Sequence, residues 1–282
     1  MDYLIFAWAA LAPVISLIFA FPITIIFKDN SLVDIGWALG FVTMPWVGFI
    51  INLIKNDVWA IRPLVVNILI TIWGVRLLTY IIARKRIRKV EDKRFAAYRE
   101  QWQNNFLLKS FVILFIPQMI MVYIIGSPAF FANTLVNVDP MTTFGIVFLV
   151  IGGLVWIQGF FFETVGDYQL LQFRKNPENK GKTLTTGLWR FTRHPNYWGE
   201  ATQWWGIFLI VFPLAIQNLE NTARIIIGSV TIIGPILLTL TLLKFSGIPT
   251  LEREDILKKR EGYEEYMTST SKFIPWFPKK KE

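Results

Sequence analysis

The segment spanning residues 187–200, GLWRFTRHPNYWGE, carries the densest group of side chains that could do chemistry. Its candidate binding residues are Arg190, Arg193, His194, Asn196, Tyr197 and Glu200. The arginines can clamp a phosphate or a carboxylate, and the asparagine offers both a donor and an acceptor. Gly187 permits a turn, and Pro195 biases the preceding histidine away from helix. The mixture predicts a polar binding site; a basic connector with an aromatic belt is the alternative.

A second group, formed by Glu163, Asp167 and Arg174, follows a helical spacing. Residues four and seven positions apart lie on one face of a helix. Carboxylates at a helix end can bind a ribose or an amide, and an arginine on the same stripe can take a phosphate. The alternative is a charge stripe that solubilises the end of the helix.

A third group lies in an apolar stretch and comprises Trp73, Arg76, Tyr80 and Arg84. A charged side chain inside an apolar span is costly, so Arg76 is expected to face other helices and to have a partner. Asp34, near the start of the preceding apolar stretch, is its obvious counter-ion. The alternatives are a first-turn acid that complements the helix dipole for Asp34 and snorkelling to the interface for Arg84.

The C-terminal tail contains Glu252, Asp255 and Lys259, which would share a helix face, followed by the stretches GYEEY and FIPWFP. For most of these charges the better interpretation is a solvated amphipathic helix on a membrane surface.

Composition excludes several kinds of chemistry. The chain has no cysteine, so disulfides, thiolate catalysis and thiolate metal sites are ruled out. With His194 as the single histidine, no histidine-based metal site or catalytic triad is expected. The formal net charge of +9 lies in loops beside apolar segments, where lipid headgroups and topology explain it, so no nucleic-acid partner is expected.

The elements that position these groups are long apolar blocks, and 54% of the 282 residues are hydrophobic. Runs of about 20 apolar residues match a hydrocarbon core of roughly 30 Å. The sequence therefore predicts an all-α, multi-pass bundle of about seven transmembrane helices. The predicted spans are 3–27, 32–54, 64–83, 106–126, 142–162, 201–217 and 223–245.

The distribution of lysine and arginine predicts the orientation. The segments 84–105, 163–200 and 244–282 carry eight, six and nine of them, whereas the alternate loops carry few. Seven spans place all three rich segments on one side, which predicts a cytoplasmic C-terminus and an outside N-terminus. No internal repeat is visible, so residues 1–282 are expected to form a single membrane domain in contact with lipid.

Taken together, RHPNYWGE, the spacing from Asp167 to Arg174, WGVR and the tail GYEEY…FIPW resemble the steroid 5-alpha-reductase-like membrane proteins. The likeness is greatest to a bacterial subgroup of unknown function that carries a steroid reductase C-terminal domain. It implies seven transmembrane helices, N-terminal helices in 1–140 and a cofactor-binding part in 141–282. It also implies NADPH-dependent reduction of a C=C bond conjugated to a carbonyl, with a small lipid-like, isoprenoid or steroid-like substrate.

The resemblance also implies roles for individual residues. Asp167 and Arg174 match two of three positions that hold the nucleotide, and Glu163 stands where an asparagine is expected. Asn196 and Glu200 match a proline-asparagine…glycine-glutamate element. Arg76 matches an arginine near the phosphates. The remaining candidate contacts to the cofactor are Arg190, Arg193, His194 and Tyr197.

The catalytic half of the pattern departs from the family. Trp73 stands where a tyrosine should polarise the substrate carbonyl, and no glutamate counterpart is evident in the second span. Asp34, Trp73 and Tyr80 are the candidates for that role.

Two other functions stay open. RHPNYWG and EGYEEY are also similar to isoprenylcysteine carboxyl methyltransferases, which use S-adenosylmethionine. A binding protein without catalytic activity is the third possibility. The bacterial character of the resemblance favours a bacterial inner membrane, and the oligomeric state is left open.

Overall fold

The computed structural model describes most of the chain as helix. The described residues are 3–57, 60–88, 93–134, 141–216, 222–245, 247–252 and 261–279. Asp255 and Lys259, predicted to share a helix face with Glu252, lie outside these ranges. Within them, seven helices are long and apolar enough to cross a membrane. The predicted all-α multi-pass fold class is therefore confirmed, and the orientation of the termini stays a prediction.

The described helices are numbered in chain order. They are α1 (Tyr3–Ile26), α2 (Val33–Asn56), α3 (Ile61–Arg88), α4 (Lys93–Trp102), α5 (Phe106–Ser110), α6 (Ile116–Ile125), α7 (Ser127–Thr134), α8 (Thr143–Lys175), α9 (Pro195–Ile216), α10 (Thr222–Val230), α11 (Ile233–Leu240), α12 (Ile248–Leu251) and α13 (Tyr263–Ser269). Short π-helical turns follow α5 and α11.

Two helices extend beyond the predicted membrane spans in a way that matters for the site. The apolar run predicted a span ending near 162, but α8 continues to Lys175. Its last turns are rich in Gln, Leu, Arg and Lys, which favour helix without being continuously apolar. A start near 201 was predicted for the next span, but α9 begins at Pro195, a residue well suited to a first helical position. Asn196 and Glu200 therefore lie in the first turns of α9.

The chain divides into two compact units. Unit 1 comprises Met1–Leu149 and Phe208–Gly234, and unit 2 comprises Val150–Ile207 and Pro235–Glu282. The segment 187–200 and the Glu163–Arg174 stripe belong to unit 2. The group around Arg76 belongs to unit 1.

Buried amides hold unit 1 together. Asn67 of α3 and Asn133 of α7 exchange side-chain hydrogen bonds of 3.1 and 2.8 Å. Asn52 of α2 adds a bond to the backbone carbonyl of Asn133. Such amides tie helices together where water is absent.

Arg62 is also part of this interior. The sequence places it in a loop, but it lies in the first turn of α3 and is fully buried. Its guanidinium donates to the carbonyl oxygens of Gly145 at 3.3 Å and Ile210 at 2.9 Å.

Candidate functional site in unit 2

Close contact between α8 and α9 is the basis of the site. Glycines recur every seven positions on α8, and each faces a residue of α9 in antiparallel order: Gly152 faces Gly206, Gly159 faces Gly199, and Gly166 faces Pro195. A Cβ on Gly199 would lie 2.3 Å from the backbone nitrogen of Glu163 and 2.5 Å from the carbonyl oxygen of Gly159. Only glycine allows the two backbones to approach this closely, as is common where membrane helices cross.

The approach brings two carboxylates of α8 against two amides of α9. Asn196 Nδ2 donates to Asp167 Oδ1 at 3.0 Å, and Gln203 Nε2 donates to Glu163 Oε2 at 2.6 Å. Glu163, Asp167 and Gln203 are only 4%, 5% and 1% exposed. The two pairs form a buried polar ladder, and its hydrogen bonds fix the position of α9 along α8.

The side-chain oxygen of each amide in this ladder is a further hydrogen-bond acceptor. The side-chain oxygens of Asn196 and Gln203 are buried and have no hydrogen-bond partner within the described part of the chain. A buried polar atom without a partner costs roughly 1–3 kcal/mol. The oxygens fit a ligand that brings N–H or O–H donors, such as an amide, an amine or a ribose.

A second buried network precedes α9. Arg193 binds the carboxylate of Glu252 through two N–H groups, Nε at 2.8 Å and Nη2 at 3.2 Å. Its Nη1 donates to the carbonyl oxygens of Met267 and Thr270 at 3.0 and 2.7 Å. Four of its five N–H groups are thus taken inside the protein. The structure gives Arg193 a structural role, as a clamp on a carboxylate of the chain itself.

His194 and Tyr263 complete the surroundings of Glu252. The imidazole Nε2 lies 2.9 Å from Glu252 Oε1, and the hydroxyl of Tyr263 donates to the same oxygen at 3.1 Å. The Glu252 side chain is 10% exposed, so the prediction of a solvated tail helix is wrong for this residue. The reason is that Arg193 and His194, far away in sequence, supply its partners.

The network shifts the pKa of both ionisable partners. Burial alone would raise the pKa of the Glu252 carboxyl, but hydrogen bonds from His194 and Arg193 outweigh burial and lower this pKa to about 2. Burial lowers the pKa of His194 and outweighs the raising effect of Glu252. At neutral pH Glu252 is ionised and His194 is neutral, with Nε2–H as the donor.

Backbone hydrogen bonds attach the C-terminal segment to the same turn. The backbone N–H groups of Arg193 and Trp276 donate to the carbonyl oxygens of Ser271 and Phe191, each at 2.9 Å. The hydroxyl of Tyr266 donates to the carbonyl oxygen of Trp189, and burial raises the pKa of that tyrosine. The turn that leads into Asn196 is therefore held by contacts from beyond residue 250.

Comparison with known proteins gives the family. A family model described as "Protein of unknown function (DUF1295)" matches residues 20–270. The chain belongs to this family. Its description names neither a reductase nor a methyltransferase.

One curated relative is a "Probable O-methyltransferase ustE" from Ustilaginoidea virens, 42% identical over 50 residues. The match covers 18% of this chain and 18% of that relative. No solved structure matches the chain.

The predicted site residues of unit 2 fall into four environments. Glu163, Asp167 and Asn196 meet in the buried ladder. Arg174 and Arg190 are exposed. Arg193 and His194 lie at the turn before α9, and Tyr197 lies in the first turn of that helix, where its ring stacks on His194 with the centroids 5.6 Å apart. Glu200 is half-buried, one turn after Asn196.

The predicted residues of unit 1 form their own group. Asp34 forms an ion pair of 3.4 Å with Arg84, so this arginine has a protein partner at the helix end. Arg76 and Arg84 both lie near the ring of Tyr80, at 5.5 and 5.8 Å from its centroid. Trp73 is buried edge-to-face against Phe41, with ring centroids 5.6 Å apart.

Sequence reasoning missed Gln203, Tyr263 and the pairing of Arg193 with Glu252. Gln203 had a usable signal, because it lies seven residues after Asn196, two turns along the same helix face. Tyr263 had no comparable signal, because its contact depends on how the tail folds back onto the turn.

Proposed function

We propose that this chain is a membrane-embedded oxidoreductase that uses NADPH to reduce a conjugated C=C bond of a lipid-like enone. The observation that carries the proposal is the hydrogen bond from Asn196 to Asp167. It joins the two motif elements that the reductase resemblance assigns to the nucleotide, although they lie 29 residues apart. The buried side-chain oxygen of Asn196, which has no hydrogen-bond partner among the described residues, supports a ligand at this point.

The residues of unit 2 fit such a cofactor by charge and by hydrogen bonding. Asp167, Asn196 and Glu200 would hold ribose or carboxamide groups, and the exposed Arg174 and Arg190 would bind phosphates. The cofactor, when bound, supplies the hydride, and the protein supplies binding and orientation.

The group that polarises the substrate carbonyl would be the side chain of Asp34, Trp73 or Tyr80. Of these, Tyr80 carries a hydroxyl, and two guanidinium groups lie beside its ring. Nearby positive charge favours donation from the phenol to an oxygen that gains negative charge during the reaction.

A second candidate is a methyltransferase that uses S-adenosylmethionine. The O-methyltransferase named among the relatives favours it. So does the use of Arg193 within the protein, since this removes one of the cations counted as phosphate clamps. The buried carboxylates of Glu163 and Asp167 suit the ammonium and sulfonium groups of that cosubstrate.

Thermal unfolding of the purified protein in detergent separates the two functions. We expect NADPH to raise the Tm and S-adenosylmethionine to leave it unchanged, because a ligand that binds the native state stabilises it. Stabilisation by S-adenosylmethionine alone would reject the reductase and support the methyltransferase. Stabilisation by neither, combined with no turnover of enones, would support a binding protein without this chemistry.

A further inference from the structure

The segment 272–279 presents large apolar side chains at its surface. Ile274, Trp276 and Phe277 are 59%, 72% and 75% exposed, whereas Phe273 beside them is buried. Three bulky apolar residues within four positions form an exposed apolar surface that water does not favour.

This exposure is not that of a loose chain end. The hydroxyl of Thr192 donates to the carbonyl oxygen of Phe273, and the backbone N–H of Lys279 donates to that of Ser269, each at 2.9 Å. The ring of Phe277 packs edge-to-face on Phe191 at 5.8 Å. The segment is thus fixed to the turn that directly precedes Pro195, where a membrane-spanning helix begins.

The charges around the apolar surface match a lipid headgroup layer. Lys272 and Lys279 are exposed at its two ends, and the sequence continues with Lys280 and Lys281. Tryptophan is enriched at membrane interfaces, and clustered lysines are attracted to anionic lipids. Nearby, α13 exposes the acidic side chains of Glu264 and Glu265, which anionic lipids repel.

We propose that the segment 272–279 docks on the surface of an anionic phospholipid leaflet. Ile274, Trp276 and Phe277 insert at the boundary between headgroups and acyl chains, and Lys272 and Lys279 contact lipid phosphates. A second copy of the chain is the rival occupant of this surface. The charge disfavours it, because two lysine-flanked surfaces would repel each other.

The absence of cysteine in the chain allows a clean test by site-directed spin labelling. A single nitroxide is attached in the full-length protein at Ile274→Cys, with Glu264→Cys as the matched control. Each variant is reconstituted in nanodiscs of phosphatidylcholine alone or mixed with phosphatidylglycerol. Relaxation by oxygen, which concentrates in the bilayer, is compared with relaxation by a water-soluble nickel chelate.

We expect a higher ratio of oxygen to nickel relaxation at position 274 than at 264, rising further when phosphatidylglycerol is present. Equal ratios at the two positions would overturn the docking. A high ratio at 274 that ignores lipid charge would overturn the anionic preference. Dipolar broadening between labels at 274 would instead identify a second copy as the occupant and also overturn the proposal.

Discussion

Arg193 and Glu252 form a two-point, buried ion pair, with Nε–Oε1 and Nη2–Oε2 distances of 2.8 and 3.2 Å. The pair joins the turn before α9 to the chain just after α12, and His194 and Tyr263 bind the same carboxylate. Because Asn196 lies three residues after Arg193, the ion pair fixes the start of the helix that carries the proposed nucleotide site.

Removing the charge of Glu252 should destabilise the protein strongly. Glu252→Gln keeps the shape of the side chain but leaves the buried guanidinium of Arg193 without its counter-ion. This should lower the free energy of unfolding by about 3 kcal/mol or more. Thermal unfolding in detergent should show a clear fall in Tm. The control Glu264→Gln removes the same charge from an exposed position and should leave the Tm nearly unchanged. Equal shifts in the two variants would mean that the pair does not stabilise the fold.

Mild acid should lower the stability of the folded protein, because its single histidine, His194, then takes up a proton. The native-state pKa of His194 lies below the ordinary 6.5, so the unfolded chain takes up a proton more readily than the folded one. The contribution of neutral His194 to the free energy of unfolding is therefore complete above about pH 6.5 and is lost as the pH falls. Between pH 7 and about pH 5 the Tm of the wild type should fall more than that of His194→Gln. Parallel Tm profiles for the two proteins would contradict the lowered pKa.

The close crossing of α8 and α9 should not tolerate a methyl group. In Gly199→Ala the new Cβ meets backbone atoms of α8 at 2.3 and 2.5 Å, so the helices must separate. Overpacking of this kind costs roughly 1–3 kcal/mol and would stretch the bond between Asn196 and Asp167. Gly153→Ala is the matched control, since its Cβ meets nothing within 4 Å. We expect a lower Tm and weaker nucleotide binding for the first variant only; similar behaviour of both would argue against the crossing.

Exchanging the partners of the polar ladder should restore a lost bond. Asn196→Asp places a second carboxylate 3.0 Å from Asp167 and should lower the Tm, because buried like charges repel. Adding Asp167→Asn recreates an amide–carboxylate pair with the roles reversed. The double variant should recover most of the lost Tm, and additive losses would show that the two residues do not interact.

The sequence predicted the parts of this account that depend on local pattern. Apolar run length predicts the spans, and helical spacing places Glu163, Asp167 and Arg174 on one face of α8. Pro195 predicts the break at His194, which lies just before α9.

Contacts between residues far apart in the chain could not be predicted from local sequence patterns. Glu252 looks like one charge among many in a polar tail, and only the fold brings Arg193 to it across 59 positions. Hydropathy ends the predicted span near residue 162, whereas the helix itself continues to Lys175, because its last turns keep a high helix propensity after they cease to be apolar.

The dissociation constant of NADPH, measured by calorimetry on the purified protein, decides whether a nucleotide binds beside Asp167, Arg174 and Asn196. Asn196→Ala and Arg174→Ala should each weaken binding by at least about 1.5 kcal/mol, roughly tenfold, since each removes a hydrogen bond to a charged or polar group of the ligand. The control Lys175→Ala removes a neighbouring exposed cation and should bind as the wild type does. Wild-type affinity in both Asn196→Ala and Arg174→Ala would contradict a nucleotide site at this crossing.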